Sequence, residues 1–193
     1  MEYRKGHDAI IDAFYRTFNK NDDVELHMVW ENGFLNEQKK KEWVDLYKKS
    51  PLGDKIFFHG HFNSDLDLGD FIRSMDCGLF PTRSEGFGLP ILQSIACGKP
   101  IITTDYSAHT EFSNPQNSFL LNIDSFEPSV DNVFFISGRI PYGSMWAKLT
   151  DNNLDQMSNY MMYCYEERYR EDRSGTVKDL TWDKIVCRLH QLF

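Results

Sequence analysis

Glu85 stands in the run Ser84-Glu-Gly-Phe-Gly-Leu-Pro90, between an apolar stretch ending at Pro81 and a segment of helical spacing closed by Gly98. A lone carboxylate at the throat of a glycine-bearing loop can accept hydrogen bonds from hydroxyl groups or stabilise a developing positive charge. Gly86 and Gly88 let the backbone approach a ligand with no Cβ between them. Pro90 suits the start of a helix, where its missing N–H would have no partner anyway. The amides of Phe87, Gly88 and Leu89 are then left ahead of that helix, and with the helix dipole they suit a phosphate or diphosphate. Gln93, four residues past Leu89, faces the same side. The same residues would equally make a helix-start loop with a capping acid and no ligand.

Such a loop needs a sheet edge to stand on, and the pattern supplies one. Cys77 to Pro81 and Ile101 to Thr103 read as buried strands flanking a helix over Leu89 to Ala96. Upstream, Ile10, Ile11, Phe14 and Phe18 recur at helical spacing over roughly 7–19. Val24 to Trp30 and Lys55 to His59 read as strands, Asn36 to Lys49 as a polar helix, and Ser64 with Asp67 as a capping pair for a helix through Met75. Ser118 to Leu121 is a weaker strand. Residues 122–150 carry turn-formers without clean periodicity and are expected to form an irregular insertion. Leu154, Met157, Met161 and Tyr165 mark a long helix and Thr181 to Phe193 a closing one, so closing helices fill about 153–193. The expectation is one α/β domain over 1–193, a doubly wound, Rossmann-like parallel sheet.

The 193 residues, 41% hydrophobic and 15% aromatic, can bury a sizeable core. A formal charge of −8 argues against a nucleic-acid or anionic-membrane binder. The basic runs Lys39-Lys40-Lys41 and Lys48-Lys49 fall on a helix expected to face solvent. No apolar run reaches the roughly 20 residues of a membrane span, and no signal peptide opens the chain. Cys77, Cys97, Cys164 and Cys187 are widely spaced and read as free thiols of a cytoplasmic protein.

The central run, followed by Ala96-Cys-Gly-Lys-Pro-Ile-Ile102 and by Glu111, resembles the donor-binding half of retaining glycosyltransferases of family 4, which have the two-domain GT-B fold. Arg4-Lys5-Gly6 ahead of His7 to Phe14 resembles the family's lysine-glycine start of its first donor-domain helix. Phe57-Phe58-His59-Gly60-His61-Phe62 resembles its strand and glycine turn under the base, and Thr181-Trp182 its closing helix. The resemblance implies a domain that binds a UDP- or GDP-sugar, with transfer of the sugar to an acceptor glycan or other hydroxyl compound with retention. Glu85 matches the first acid of the family's Glu-x7-Glu pattern, beside the donor sugar. Phe87, Gly88 and Leu89 match the segment whose amides hold sugar or phosphate. Lys5 matches the lysine on the diphosphate leaving group, and the backbone around Phe62 the edge that recognises the base. No metal or other cofactor is implied, because GT-B enzymes generally work without a bound metal.

Two departures accompany the resemblance. Position 93 is Gln where the pattern has a second Glu that grips both ribose hydroxyls, and an amide has one acceptor oxygen where a carboxylate has two. The resemblance also leads to the expectation that this chain lacks the strand ending in Gly-Arg that precedes the lysine-glycine pair, and the acceptor domain. In a doubly wound sheet that first strand is central, so its loss is expected to leave neighbours unpaired. Such a piece is expected to bind donor weakly and transfer little. The alternatives are a non-catalytic nucleotide- or partner-binding domain and another sugar-nucleotide enzyme on this fold, such as an epimerase.

His59 and His61 alternate at a strand end with no third metal ligand at convincing spacing. Arg83, beside Glu85, could reach a phosphate, but it is read as a solvent-facing loop residue. Asp105, Ser107 and His109 match a hydrolase triad by type only, without a nucleophile elbow.

Overall fold

The computed structural model describes residues 2–30, 33, 35–129, 144–167 and 172–185. Helices α1 (His7–Thr17), α2 (Glu37–Lys48), α3 (Asp65–Ser74), α4 (Leu89–Ala96) and α5 (Asp151–Glu167) alternate with strands β1 (Leu26–Val29), β2 (Ile56–His59), β3 (Gly78–Phe80), β4 (Ile101–Thr104) and β5 (Ser118–Leu121). Two further strands, β6 (Phe126–Pro128) and β7 (Met145–Ala147), pair antiparallel within the stretch expected to be irregular. Residues 130–143 of that stretch, most of the expected closing helix after Thr181, and Cys187 lie outside the described residues. Cys77, Cys97 and Cys164 are free thiols.

β1 runs parallel to β2, and β3, β4 and β5 run parallel to one another, as strands joined by crossovers and not by hairpins do. Strand β4 lies between β3 and β5, with Ile101 opposite Gly78 and Ser118. All four of its residues are buried. The alternation of a strand explains why it is covered twice. Ile101 packs with Ile91 and Ile95 of α4. Ile102, one residue on, joins the larger core of Ala9, Ile10, Ala13 and Phe14 from α1 and Met157 and Met161 from α5. Helices therefore lie on both faces of the sheet.

Strands β1 and β2 form a separate ladder, with Leu26 opposite Ile56, and no ladder joins it to β3–β4–β5 among the described residues. The two ladders are held together through the shared core, where Leu26, Met28 and Ile56 meet Ile102 and Leu121.

The helix starts follow from local chemistry. Asn36 accepts a bond from the Lys39 amide at 2.9 Å, and Ser64 accepts one from the Asp67 amide at 3.1 Å. The lysine run of α2 is paired along its own surface, Lys39 with Glu42 and Lys40 with Glu37.

Candidate functional site

Gly6 fixes the geometry of the site. It has φ +73°, in the left-handed region, and a Cβ added there would lie 1.9 Å from the Pro81 carbonyl oxygen. Only glycine lets the chain pass so close to the exit of β3 while entering α1. The preceding 3-10 turn, Tyr3–Lys5, is fastened to the same exit: the Arg83 amide donates to the Arg4 carbonyl at 2.7 Å. Lys5 is thereby delivered to Glu85, Nζ to Oε1 2.5 Å. Arg4 reaches the other carboxylate oxygen at 3.4 Å and the Ser84 carbonyl at 2.6 Å. With its side chain only 8% exposed, Glu85 is a nearly buried carboxylate held by two cations.

Arg83 is buried, not solvent-facing, and this overturns the expectation for it. Its guanidinium donates to Asp8 at 2.7 and 2.8 Å, to the Tyr3 carbonyl at 2.6 Å and to Glu127 at 3.0 Å. The Tyr3 ring centroid lies 3.6 Å from it. The planar fork thus ties the Glu85 loop, the Lys5 turn, α1 and the β6–β7 ribbon together, which a lysine's point charge would not do. Sequence offers no sign of this, because Asp8 and Glu127 are far from Arg83 along the chain.

Beyond Glu85 the loop opens to solvent. Gly88, φ +88°, precedes α4, whose first residue is Leu89 with Pro90 second. Gly88's carbonyl accepts from the Ile91 and Leu92 amides. The amides of Gly86, Phe87, Gly88 and Leu89 have no acceptor among the described residues. Phe87 and Leu89 are half exposed, at 51% and 52%, although the Phe87 ring rests on Phe112. A Cβ on Gly88 would sit 3.7 Å from Glu85 Cγ, so carboxylate and helix start are neighbours. Gln93 follows on the same helix, partly buried, and its side chain makes no hydrogen bond among the described residues.

Phe62 stands apart from this group; its ring contact is with Phe71, 4.9 Å between centroids. His59 pairs with His27 across β1 and β2, Nε2 to Nδ1 2.8 Å, and not with His61. Burial, then His27, holds the His59 imidazole below its ordinary pKa. No cluster of three or more metal-ligating side chains occurs among the described residues. The Asp105–Ser107–His109 set does not assemble. Ser107 is bonded to the Glu85 backbone, and His109, fully buried, donates from Nε2 to the Thr104 carbonyl at 2.7 Å. Burial keeps His109 below its ordinary pKa. Glu111 is exposed.

His7, beside the Lys5 turn, accepts from the Glu2 amide at Nδ1, 2.7 Å. Burial, and after it nearby positive charge including Lys5 and Arg4, pushes this imidazole down to about 3. The unfolded chain takes the proton near the ordinary value of 6.5, the folded chain only near 3. Stability from this group is therefore full above pH 6.5 and falls as pH drops toward 3, by at most about 1.4 kcal/mol per pH unit. His7→Asn, whose amide oxygen can accept the same bond, is expected to lose less stability between pH 7 and 4.5 in urea melts. Equal losses in both proteins would remove His7 as a source of acid sensitivity.

Residues 1–122 match the family described as glycosyl transferases group 1. The chain belongs to that family. It is 30% identical over 132 residues to the uncharacterized glycosyltransferase 335 of Sulfolobus islandicus rod-shaped virus 1, a match covering 68% of this chain and 37% of that protein. This group 1 chain thus spans well under half the length of that relative. In fold it is similar to the C-terminal domain of the group 1 protein LpcC from Francisella tularensis, with TM-score 0.65 and 20% identity over 96% of this chain and 82% of that one. It is also similar to Anabaena HepE in complex with UDP-glucose, with TM-score 0.67 and 17% identity over 98% of this chain and 44% of that one. The parallel sheet of this group 1 chain is thus that of a GT-B C-terminal domain.

Proposed function

We propose that this chain is the donor-binding domain of a retaining glycosyltransferase and holds a nucleoside diphosphate sugar, UDP- or GDP-linked, at the Lys5–Glu85 loop. The observation that carries the reading is the contact between the Lys5 ammonium and the nearly buried Glu85 carboxylate, directly ahead of four amides without acceptors among the described residues. Lys5 and the amides of Phe87, Gly88 and Leu89 would hold the diphosphate, where positive charge and aligned dipoles stabilise the departing anion. This assigns the leaving group's charge to protein atoms and needs no metal ion. Glu85 would accept from the sugar hydroxyls near the reacting carbon, Gln93 would meet the ribose, and the backbone at Phe62 the base. The sugar would pass to an acceptor hydroxyl with retention. The complex of the fold relative HepE with UDP-glucose supports a UDP-sugar as the first donor to test.

The test is calorimetric titration with UDP, GDP and their glucose and mannose conjugates. One base class is expected to bind, and Lys5→Ala is expected to weaken it by about 1.5–3 kcal/mol, roughly ten- to a hundredfold. Equal binding by Lys5→Ala and the native chain would overturn the assignment. A second reading, a nucleotide-binding domain without turnover, is favoured by Gln93 at the place of the pattern's second acid. Donor binding without transfer, with transfer gained on Gln93→Glu, would support it.

A further inference from the structure

Ser107 is the one non-glycine residue with positive φ among the described residues. Its φ of 84° and ψ of −170° fall in a region that glycine occupies readily and residues with a Cβ avoid. It persists because the chain is fastened on both sides. Before it, the Asp105 amide donates to the Leu121 carbonyl at 2.9 Å; after it, the Thr110 amide and hydroxyl donate to the Ser107 carbonyl at 3.1 and 2.8 Å. Glycine would fit this backbone with less strain, so the serine hydroxyl supplies something glycine lacks.

What it supplies is visible. Ser107 Oγ accepts from the Glu85 amide at 2.6 Å and donates to the Glu85 carbonyl at 2.7 Å, so one hydroxyl spans both polar groups of Glu85. The Ala108 amide adds a longer bond to the same carbonyl, 3.4 Å. Glu85 is thus clamped twice: its carboxylate by Lys5 and Arg4, its backbone by Ser107. A carboxylate that must meet sugar hydroxyls has to be held in direction as well as in place, and a backbone clamp does this without taking up its lone pairs.

We propose that Ser107 is a positioning residue, held in a strained backbone so that its hydroxyl orients Glu85 toward the sugar of the bound nucleoside diphosphate sugar. The role rests on the donor-site reading above, but the clamp itself can be tested without any ligand. It also separates two ligands: the sugar conjugate needs the direction of Glu85, whereas the free nucleoside diphosphate does not.

The experiment compares native chain, Ser107→Gly and Ser107→Ala by thermal melting, amide hydrogen exchange at Glu85, and affinities for UDP or GDP against the matching nucleotide sugar. Ser107→Gly relieves the backbone, so its Tm is expected to equal or exceed the native value. Glu85 amide exchange is expected to speed up about tenfold or more in both variants. Preference for the sugar conjugate over the free diphosphate is expected to fall about tenfold. A merely structural serine would move Tm and leave that ratio alone. Unchanged exchange at Glu85, or an unchanged ratio with faster exchange, would overturn the proposal. If the native chain binds neither ligand, the donor-site reading fails, while the exchange result still decides whether the clamp exists.

Discussion

Glu85→Gln is expected to slow sugar transfer by a factor on the order of 100–1,000 and, at the same time, to tighten binding of the free nucleoside diphosphate. The two effects have opposite signs because the carboxylate has two neighbours with opposite interests. Without ligand, Glu85 neutralises Lys5 at 2.5 Å. An incoming diphosphate must share that ammonium and tolerate a nearby negative charge, so removing the charge releases Lys5 and removes the repulsion. Lys5 is 30% exposed at its side chain, and solvent screening limits the gain to about 1 kcal/mol, roughly fivefold. The sugar conjugate loses an acceptor for its hydroxyls, so its binding gains less or falls. Titrations of both ligands together with a transfer assay check this. If Glu85→Gln weakened the free diphosphate, Glu85 would be supporting the phosphate, not standing beside the sugar.

The second large effect belongs to Gly6→Ala. The added methyl group would meet the Pro81 carbonyl oxygen at 1.9 Å, and the backbone already sits at φ +73°. The obstacle is main chain at the exit of β3, where Pro81 is itself buried, so a side-chain rotation cannot relieve it. A cost of about 2–4 kcal/mol follows from overpacking plus the left-handed conformation. For a domain of this size that lowers Tm by roughly 5–15 °C. The surviving folded protein is expected to lose nucleoside diphosphate affinity as well, because the turn carrying Lys5 must move away from Glu85. Native Tm and native affinity in Gly6→Ala would show that the close approach at Pro81 is not needed.

Much of this was legible from residue types. The order of helices and strands follows from apolar spacing and from Asn36, Ser64, Pro90 and Gly98. The resemblance of both motifs to one family put Lys5 and the Glu85 loop in one expected site, since no periodicity links positions so far apart, but it gave no sign of the direct Lys5–Glu85 contact. The misses have a common cause. Arg83 looks like a loop cation until Asp8, Tyr3 and Glu127 are seen to converge on it. Ser107 carries its information in a backbone angle, which a side-chain pattern cannot express. Strands β6 and β7 escaped because each has three residues, too few for an alternation to register.

The most direct test of the donor site is the chemical-shift response of the backbone amides in a 15N-labelled chain as a nucleoside diphosphate is added, with the corresponding nucleoside as control. The amides of Gly86, Phe87, Gly88 and Leu89 are expected to shift with the diphosphate and stay in place with the nucleoside, whose effects fall near Phe62. Shifts at 86–89 with the nucleoside alone, or a saturating diphosphate that leaves those four amides unmoved, would contradict the account.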